Sequence, residues 1–329
     1  MKKLLPLIIL LACVSTLVMA QTQSTVAAQS QQKPAQTGVL LLAHGGSALE
    51  WNEEVRHVAD QVDLSVPTEV AFGMATKSTM ASAINRLQAR GVTEIVAVPL
   101  FVSSHSSVID SISYLLGQRT QAPEDLKVFA TMDHGAMASH GDSMDHSKMN
   151  DPAMVASATQ PIVIPVPVHM AAALDHHKIV ADILEDRAAS ISKDPVHEVV
   201  ILIAHGPVPD DENKFWLDDM SSLAEQIRKH THYADIQYLT LRDDADDPVR
   251  DAATEQLRGK VKQATDAGNR VLIVPLLLSY GGIEDGLRKR LSGLDYKMPS
   301  QGLLPDVRIV NWVLETAQTN AQTSSERPH

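Results

Sequence analysis

The chain has 329 residues, a formal net charge of −12 and a single cysteine. This length accommodates two domains of ordinary size, and 44% hydrophobic with 21% charged residues is typical of a soluble globular protein. The negative charge argues against nucleic acid as a partner, because binding phosphates requires clustered Lys and Arg. Since Cys13 lies in the N-terminal segment, the rest of the chain excludes disulfides, thiolate zinc sites and iron–sulfur clusters.

Residues 1–20 have the pattern of an export signal peptide. Two lysines precede a short apolar run, Leu4 to Ala12, and Ala20 completes a cleavage pattern. A membrane-spanning helix needs ~20 apolar residues, so attachment to a membrane is expected only if this segment stays uncleaved. Lipidation at Cys13 is less favoured, because the apolar run before it is short. We expect an exported, periplasmic or extracytoplasmic protein in which residues 21–36, rich in Gln, Ser and Ala, form a disordered tether.

Two sequence motifs occur twice and in the same order. Val39 to Gly46 resembles Val200 to Pro207, and both are apolar runs that end in Ala-His-Gly. Ile95 to Ser103 resembles Val271 to Ser279, and both contain Pro-Leu after an apolar run. Two repeated motifs in one order indicate a duplicated domain.

The apolar runs predict parallel strands covered by helices on both faces, in an α/β fold with βαβ connections. We expect an N-terminal lobe at 37–192, a C-terminal lobe at 197–317 after a linker near 192–197, and a disordered tail at 318–329. A further strand is expected at Lys127 to Ala130. Helical spacing is found in Leu49 to Val62, Ser78 to Ala89, Ser106 to Leu116, Ala172 to Ala189, Asp211 to Lys229, Pro248 to Ala267 and Ile283 to Leu291.

Four residues are candidates for chemistry at the carboxyl ends of these strands, where ligands of such sheets bind. His44 could present its imidazole there, with glycines that permit close approach of a ligand, or it could merely cap a helix. Because the Ala-His-Gly motif recurs at His205, we favour a functional role for one of these two histidines. His105 lies on a loop at the same end, so His44 and His105 could hold one divalent metal, although His105 could also be a capping residue. The second half has Glu284 on the equivalent loop, either as a ligand or proton acceptor or as an acid favoured at a helix N-terminus.

The strand followed by His-Gly, the Pro-Leu-Phe-x-Ser loop with a histidine (Pro99 to His105) and the duplication resemble the sirohydrochlorin cobaltochelatases and their ferrochelatase relatives, the class II tetrapyrrole chelatases. Ala173 to Ala188 resembles the last helix of that family's repeat. The resemblance covers roughly Gly38 to Ala317. It implies two tandem flavodoxin-like lobes with a macrocycle bound in the cleft between them. It also implies a lyase of the cobalamin-synthesis type that inserts a divalent metal, Co(II) first and Fe(II) or Ni(II) next, into a sirohydrochlorin-like tetrapyrrole without ATP.

The loop departs from the family pattern at one position. In the cobaltochelatases the second histidine usually follows a Gly-x pair; here that position is Ser107, and His105 stands two residues earlier, closer to the ferrochelatase-type Ser-x-His loop. Because the second half has no loop histidine, we place the metal in the N-terminal lobe, where a neutral imidazole can hold metal and accept a proton. The alternative is an exported metal carrier or sensor without catalysis, favoured by Ser107 and Ile283. The sequence leaves the oligomeric state open.

An insertion at residues 131–160 is rich in Met and His and repeats Met-Asp-His. Thioether and imidazole ligands together suit Cu(I), while His and Asp can also hold Co(II) or Ni(II). We interpret the insertion as a flap that collects metal for the cleft or sequesters copper; otherwise it is a polar loop of incidental composition. Its candidate ligands are Met132, His134, Met137, His140, Met144, His146 and Met149.

Overall fold

The uninterrupted apolar runs form the central strands of two parallel sheets. The computed structural model describes residues 36–46, 48–131 and 152–325, with side chains as far as residue 322, and these belong to one compact unit that begins at Ala35. The strands are β1 (Thr37–Ala43), β2 (Thr68–Phe72), β3 (Glu94–Leu100), β4 (Val168–Met170), β5 (Glu198–Ala204), β6 (Asp235–Thr240) and β7 (Arg270–Leu276). The sheet orders are β2-β1-β3-β4 and β6-β5-β7, and every pairing is parallel.

The helices connect the strands and bury one apolar stripe each. In the first of them Val55, Val58, Ala59 and Val62 are buried at helical spacing. None of the helices that the structure describes is both long and apolar enough to span a bilayer. The helices are α1 (Leu49–Asp63), α2 (Lys77–Ala89), α3 (Ser107–Leu115), α4 (Leu126–Thr131), α5 (Pro152–Ala158), α6 (Lys178–Ile191), α7 (Asp210–Arg228), α8 (Asp247–Asp266), α9 (Ile283–Arg290) and α10 (Val307–Ser325).

The fold class predicted from the sequence is confirmed, and the duplication is visible in the topology. Each sheet has its His-Gly strand, β1 or β5, in an inner position between the strand that follows it and the Pro-Leu strand, β3 or β7. In the second sheet Lys297 forms an isolated parallel bridge to Leu272, on the side where β4 joins the first sheet. The two halves therefore share one strand order.

Three of the predicted elements are wrong in part. The strand expected at Lys127 to Ala130 is helix α4, in which Leu126 and Phe129 are buried three residues apart, the spacing of one helix face. The helix expected from Ala172 begins at Lys178, because Asp175 has a left-handed φ of 44°. The disordered tail expected from residue 318 is helical as far as Ser325, since the apolar stripe of α10 anchors the helix to the core.

The two halves exchange their last helices. Helix α6 belongs to the first half by sequence but packs on α7 and β7 of the second sheet. Helix α10 ends the second half but packs on α1, β1 and β3 of the first. One buried cluster accordingly joins Leu41 of β1, Leu202 of β5 and Trp312 of α10. The halves therefore cannot bury their apolar surface independently.

Replacing Trp312 by alanine is expected to destabilise both halves together. Its side chain is 4% exposed in the shared cluster, and truncation of a buried Trp costs roughly 3–5 kcal/mol in cavity and transfer energy. Urea unfolding of W312A should show one transition at lower midpoint, whereas V307A, at the 70% exposed start of the same helix, should match the parent protein. Two separate transitions in the parent would contradict a shared core.

Candidate active site at the carboxyl ends of the strands

The first histidine, His44, directly follows β1 and stacks on an aromatic ring. Its imidazole lies parallel to Trp51, with 5.6 Å between ring centroids and 3° between planes. Its Nδ1 lies 2.5 Å from the carbonyl oxygen of Gly45. Since a carbonyl only accepts hydrogen bonds, Nδ1 carries the proton and the ring's lone pair is on Nε2, the atom suited to a metal or a proton.

The glycines after His44 are required by the geometry of the turn. Gly45 has a φ of 69°, and a Cβ there would lie 2.8 Å from the ring of Phe72 and from the side chain of Asn52. Asn52 fixes the turn, accepting a hydrogen bond from the Gly46 N–H at 3.0 Å and donating one to its carbonyl at 2.8 Å. The turn therefore holds His44 at the sheet edge.

The second histidine, His105, lies on a loop that is fixed at both ends. Asp175 accepts hydrogen bonds from the backbone N–H and the hydroxyl of Ser104, the latter at 2.8 Å. Ser106 caps α3 by accepting a bond from the Ile109 N–H at 3.3 Å. Between these anchors the His105 side chain is exposed and stacks on Phe215 of α7, with 4.5 Å between centroids.

The two imidazoles follow neighbouring strands at one edge of the first sheet. Ala43 and Leu100, the last residues of β1 and β3, are register partners. Each ring nevertheless has its own aromatic neighbour, Trp51 for His44 and Phe215 for His105. Within the part of the chain that the structure describes, no group of three or more His, Cys, Asp or Glu side chains could hold a metal ion. A two-imidazole metal site stays a prediction.

The second-half candidates have local partners. The His205 Nε2 lies 3.4 Å from the carboxylate of Asp244, which is 73% exposed. Glu284 is 9% exposed, and its Oε2 accepts hydrogen bonds from the N–H groups of Gly281 and Gly282, both at 3.0 Å. These bonds favour the reading of Glu284 as an acid at the start of helix α9 over the reading as a ligand.

The candidate ligands of the Met- and His-rich insertion fall outside the described residues, as do residues 1–35 with the predicted signal peptide, Cys13 and all of the tether except Gln36. The metal-binding prediction for the insertion therefore stays a prediction. Those candidates are Met132, His134, Met137, His140, Met144, His146 and Met149.

The sequence did not single out an acidic residue of α7 that lies close to the His105 loop. Asp219 pairs with His176, with 2.6 Å between Oδ1 and Nδ1, and its other oxygen is buried without a hydrogen-bond partner among the described residues. Burial holds the pKa of Asp219 above its ordinary value, although the hydrogen bond from His176 and the nearby His105 lower it in part. The second half thus supplies a carboxylate in the electrostatic field of the first-half histidine.

Glu212, at the start of α7, also contacts the first half. Burial first, and then the nearby Asp211, Asp110 and Asp125, together raise its pKa to about 7 against the opposing effect of a backbone hydrogen bond from Ser107. The Glu212 carboxyl is therefore partly protonated near neutral pH where the two halves meet.

Replacing Glu212 by glutamine is expected to stabilise the protein above pH 7 and not at pH 4. Between the ordinary pKa of 4.5 and about 7, the folded protein retains a proton that the unfolded chain has released, so the free energy of unfolding falls as pH rises through this window. Because the side chain is partly exposed, the gain of E212Q at pH 8 should be only about 1 kcal/mol.

The measurement is the thermal midpoint of E212Q and of the parent protein from pH 4 to pH 8. A matched control is E255Q, which replaces an exposed glutamate of α8. A difference between E212Q and the parent that is constant with pH would show that Glu212 titrates normally.

The first half of the chain is similar in sequence to known proteins. Residues 38–191 match the CbiX family. A sirohydrochlorin cobaltochelatase from Methanothermobacter thermautotrophicus is 36% identical over 91 residues, which are 27% of this chain and 62% of that protein, less than two thirds of its length. Another from Methanococcoides burtonii is 26% identical over 158 residues, 47% of this chain and 95% of that protein.

Solved structures extend the likeness in fold to both halves. SirB from Bacillus subtilis with Fe3+ has a TM-score of 0.57 at 16% identity, covering 88% of this chain and 98% of that one. The sirohydrochlorin chelatase SirB from Bacillus subtilis subspecies spizizenii in complex with cobalt has a TM-score of 0.54 at 13% identity, covering 89% and 98%. The fold is similar to that of these chelatases. The first half of the chain is thus similar in sequence to the CbiX-type class II chelatases.

Proposed function

We propose that this protein is a metal chelatase that inserts a divalent metal, Co(II) first and Fe(II) or Ni(II) next, into a sirohydrochlorin-like tetrapyrrole. The observation that carries the proposal is that the segment matching the family, residues 38–191, contains both His44 and His105, which follow register-paired strands. Curated relatives of this segment are named sirohydrochlorin cobaltochelatases. Metal and tetrapyrrole are both substrates in this reaction.

The chemistry requires a metal ligand and a proton acceptor. Two pyrrole N–H protons must leave as the metal enters, and a neutral imidazole can serve in either role. The Nδ1 proton of His44, directed at the Gly45 carbonyl, keeps the lone pair on Nε2. The exposed His105 ring is stacked through one face, which leaves the nitrogens on its edge accessible. We propose that, with these two histidines, the protein inserts the metal without ATP.

Replacing either histidine by alanine is expected to lower the rate of insertion by about 10²-fold or more, the range associated with losing one proton-transfer group. The assay offers sirohydrochlorin and Co(II) to purified protein under anaerobic conditions and follows the absorbance change. H232A, at an exposed histidine between α7 and β6, is the matched control and should retain the parent rate. Full activity in both H44A and H105A would move the site to the second half.

A second candidate function is an extracytoplasmic metal carrier or sensor on the chelatase scaffold. The observation that favours it is Ser107, which stands where the family's loop histidine is expected and begins helix α3. The same assay separates the two functions. Tight Co(II) binding together with an insertion rate no faster than that without protein supports the carrier.

We propose that the protein is exported and that its Met- and His-rich insertion binds metal for delivery or sequestration. The support is the sequence alone: a signal-type N-terminus and seven soft or borderline ligands between Met132 and Met149. Cu(I) is the ion that thioether and imidazole ligands together favour.

A variant with His134, His140 and His146 replaced by alanine is expected to bind at least one Cu(I) fewer than the parent. The measurement is anaerobic titration against a chromogenic Cu(I) chelator, with a parallel titration of Co(II). Replacing His197, His230 and His232, which lie far from the insertion in sequence, provides a control with equal loss of imidazoles. Unchanged Cu(I) stoichiometry in the first variant would show that the composition of the insertion is incidental.

A further inference from the structure

The duplicated halves allow an internal comparison of equivalent positions. Asn52 lies eight residues after His44, and Asn213 lies eight residues after His205. Asn52 bonds Gly46 in the turn after β1, and Asn213 accepts a hydrogen bond at 2.7 Å from Thr240, the residue packed against Gly206. Helices α1 and α7 are therefore equivalent residue by residue in their first turns.

Each of these helices reaches the strand-end loop of the opposite half. Ten residues after the histidine, α1 carries Glu54, whose carboxylate lies close enough to Ser279 of the loop after β7 for that side chain to lower its pKa, against a larger increase from burial. At the same offset α7 carries Phe215, which stacks on His105 of the loop after β3. In both halves, the same helix position thus contacts the loop of the other half.

The equivalent positions carry different residues, and the difference coincides with the loop histidine. On α7 the pair is Phe215–Trp216, and the loop that it faces carries His105. On α1 the equivalent pair is Glu54–Val55, and the residue equivalent to His105, six residues after the proline of the strand, is Gly281. The Phe–Trp pair at this offset occurs on the helix that faces a histidine. The helix that faces Gly281 has Glu54–Val55 there and contacts that glycine with Trp51, three residues earlier.

The contacts of the aromatic pair hold both the ring and the backbone of His105. The Phe215 ring lies 4.5 Å from the imidazole at an interplanar angle of 17°. The indole Nε1 of Trp216 donates a hydrogen bond to the His105 carbonyl at 2.7 Å. Phe215 is itself 48% exposed, so burial in the core does not account for an aromatic residue at this position.

We propose that Phe215 and Trp216 are positioning residues that hold His105 in the orientation in which it binds metal. Stacking covers one face of the imidazole, whereas both nitrogens lie on the ring edge, which stacking does not cover. The Trp216 hydrogen bond prevents the loop from withdrawing the histidine. The second half therefore acts as the support for a metal ligand of the first half, an inference that rests on the proposed role of His105.

A metal-independent experiment tests the positioning itself. The ring protons of His105, assigned by NMR through H105A, should be shifted upfield by the Phe215 ring. They should return to ordinary values in F215A and stay shifted in F215Y, which retains the ring. V208A removes an apolar side chain of equal exposure, 48%, from the same half and should change nothing. Equal His105 shifts in F215A and in the parent protein would overturn the proposal.

A second experiment tests the consequence for metal. Co(II) affinity, followed by the absorbance of the bound ion, should fall about tenfold in F215A and in W216F and stay at the parent value in F215Y and V208A. W216F retains a smaller aromatic ring and removes the N–H donor, and an unchanged thermal midpoint of this variant would show that a loss of affinity is not a general defect in packing. Parent affinity in both F215A and W216F would overturn the proposal.

The two experiments separate this proposal from the proposed function. If H105A binds Co(II) like the parent, His105 is not a ligand and the proposed site fails, whatever the NMR shifts show. If H105A loses Co(II) while F215A and W216F do not, the site holds and the positioning role is wrong. Loss in all three, with rescue in F215Y, supports both.

Discussion

The exchange of the last helices is the constraint on which the rest of the structure depends. Because α6 packs on the second sheet and α10 on the first, one face of each sheet is covered in part by a helix from the other half of the chain. The apolar residues on one face of each sheet therefore share one cluster, in which Leu41 and Leu202 are fully buried, while the opposite faces have separate cores. This arrangement fixes the orientation of one sheet relative to the other, as a flexible connection between two independent lobes would not.

That fixed orientation explains why the loops at the strand ends are contacted by the opposite half. Trp51 of α1 lies against Gly281, where a Cβ would come within 3.1 Å of its ring, and Phe215 of α7 lies on His105. Both contacts couple a strand-end residue of one half to a helix of the other. A metal ligand on such a loop is held by the packing of the whole molecule, and precise ligand geometry depends on this kind of support.

The sequence predicted the central strands and most helices because these follow simple periodicities. β1, β3, β5 and β7 are apolar on both faces, as expected for strands covered by helices on both sides. The edge strands β2 and β6 lack this signal, since they are only partly buried and contain Glu69 and Gln237 among their apolar residues. The short run Lys127 to Ala130 was also wrongly predicted as a strand. It belongs to a helix in which Leu126 and Phe129 are buried on one face.

The candidate site was predictable as far as its backbone position. Apolar runs that end in His-Gly place His44 at a strand end, and β1 and β3 end in register, so the positions of His44 and His105 at one edge follow from the pattern. The aromatic partners of His105 could not be predicted from this pattern. Phe215 and Trp216 are distant in sequence and reach His105 only through the packing of the two halves. Aligning the two halves position by position would have identified them, since α1 has no aromatic pair at the equivalent place.

The loops after β3 and β7 differ in how their polar groups are hydrogen-bonded. After β7 the loop closes on itself, with Glu284 accepting hydrogen bonds from Gly281 and Gly282 and starting helix α9. After β3 the loop instead exposes His105 and starts α3 with the side chain of Ser106. The carboxylate oxygen of Glu284 that accepts two backbone hydrogen bonds is already engaged within its own loop. The His105 imidazole is stacked on one face only, so its nitrogens are not engaged by the stacking. One copy of the duplicated loop thus satisfies its own hydrogen bonds, and the other retains a side chain that is open to a ligand.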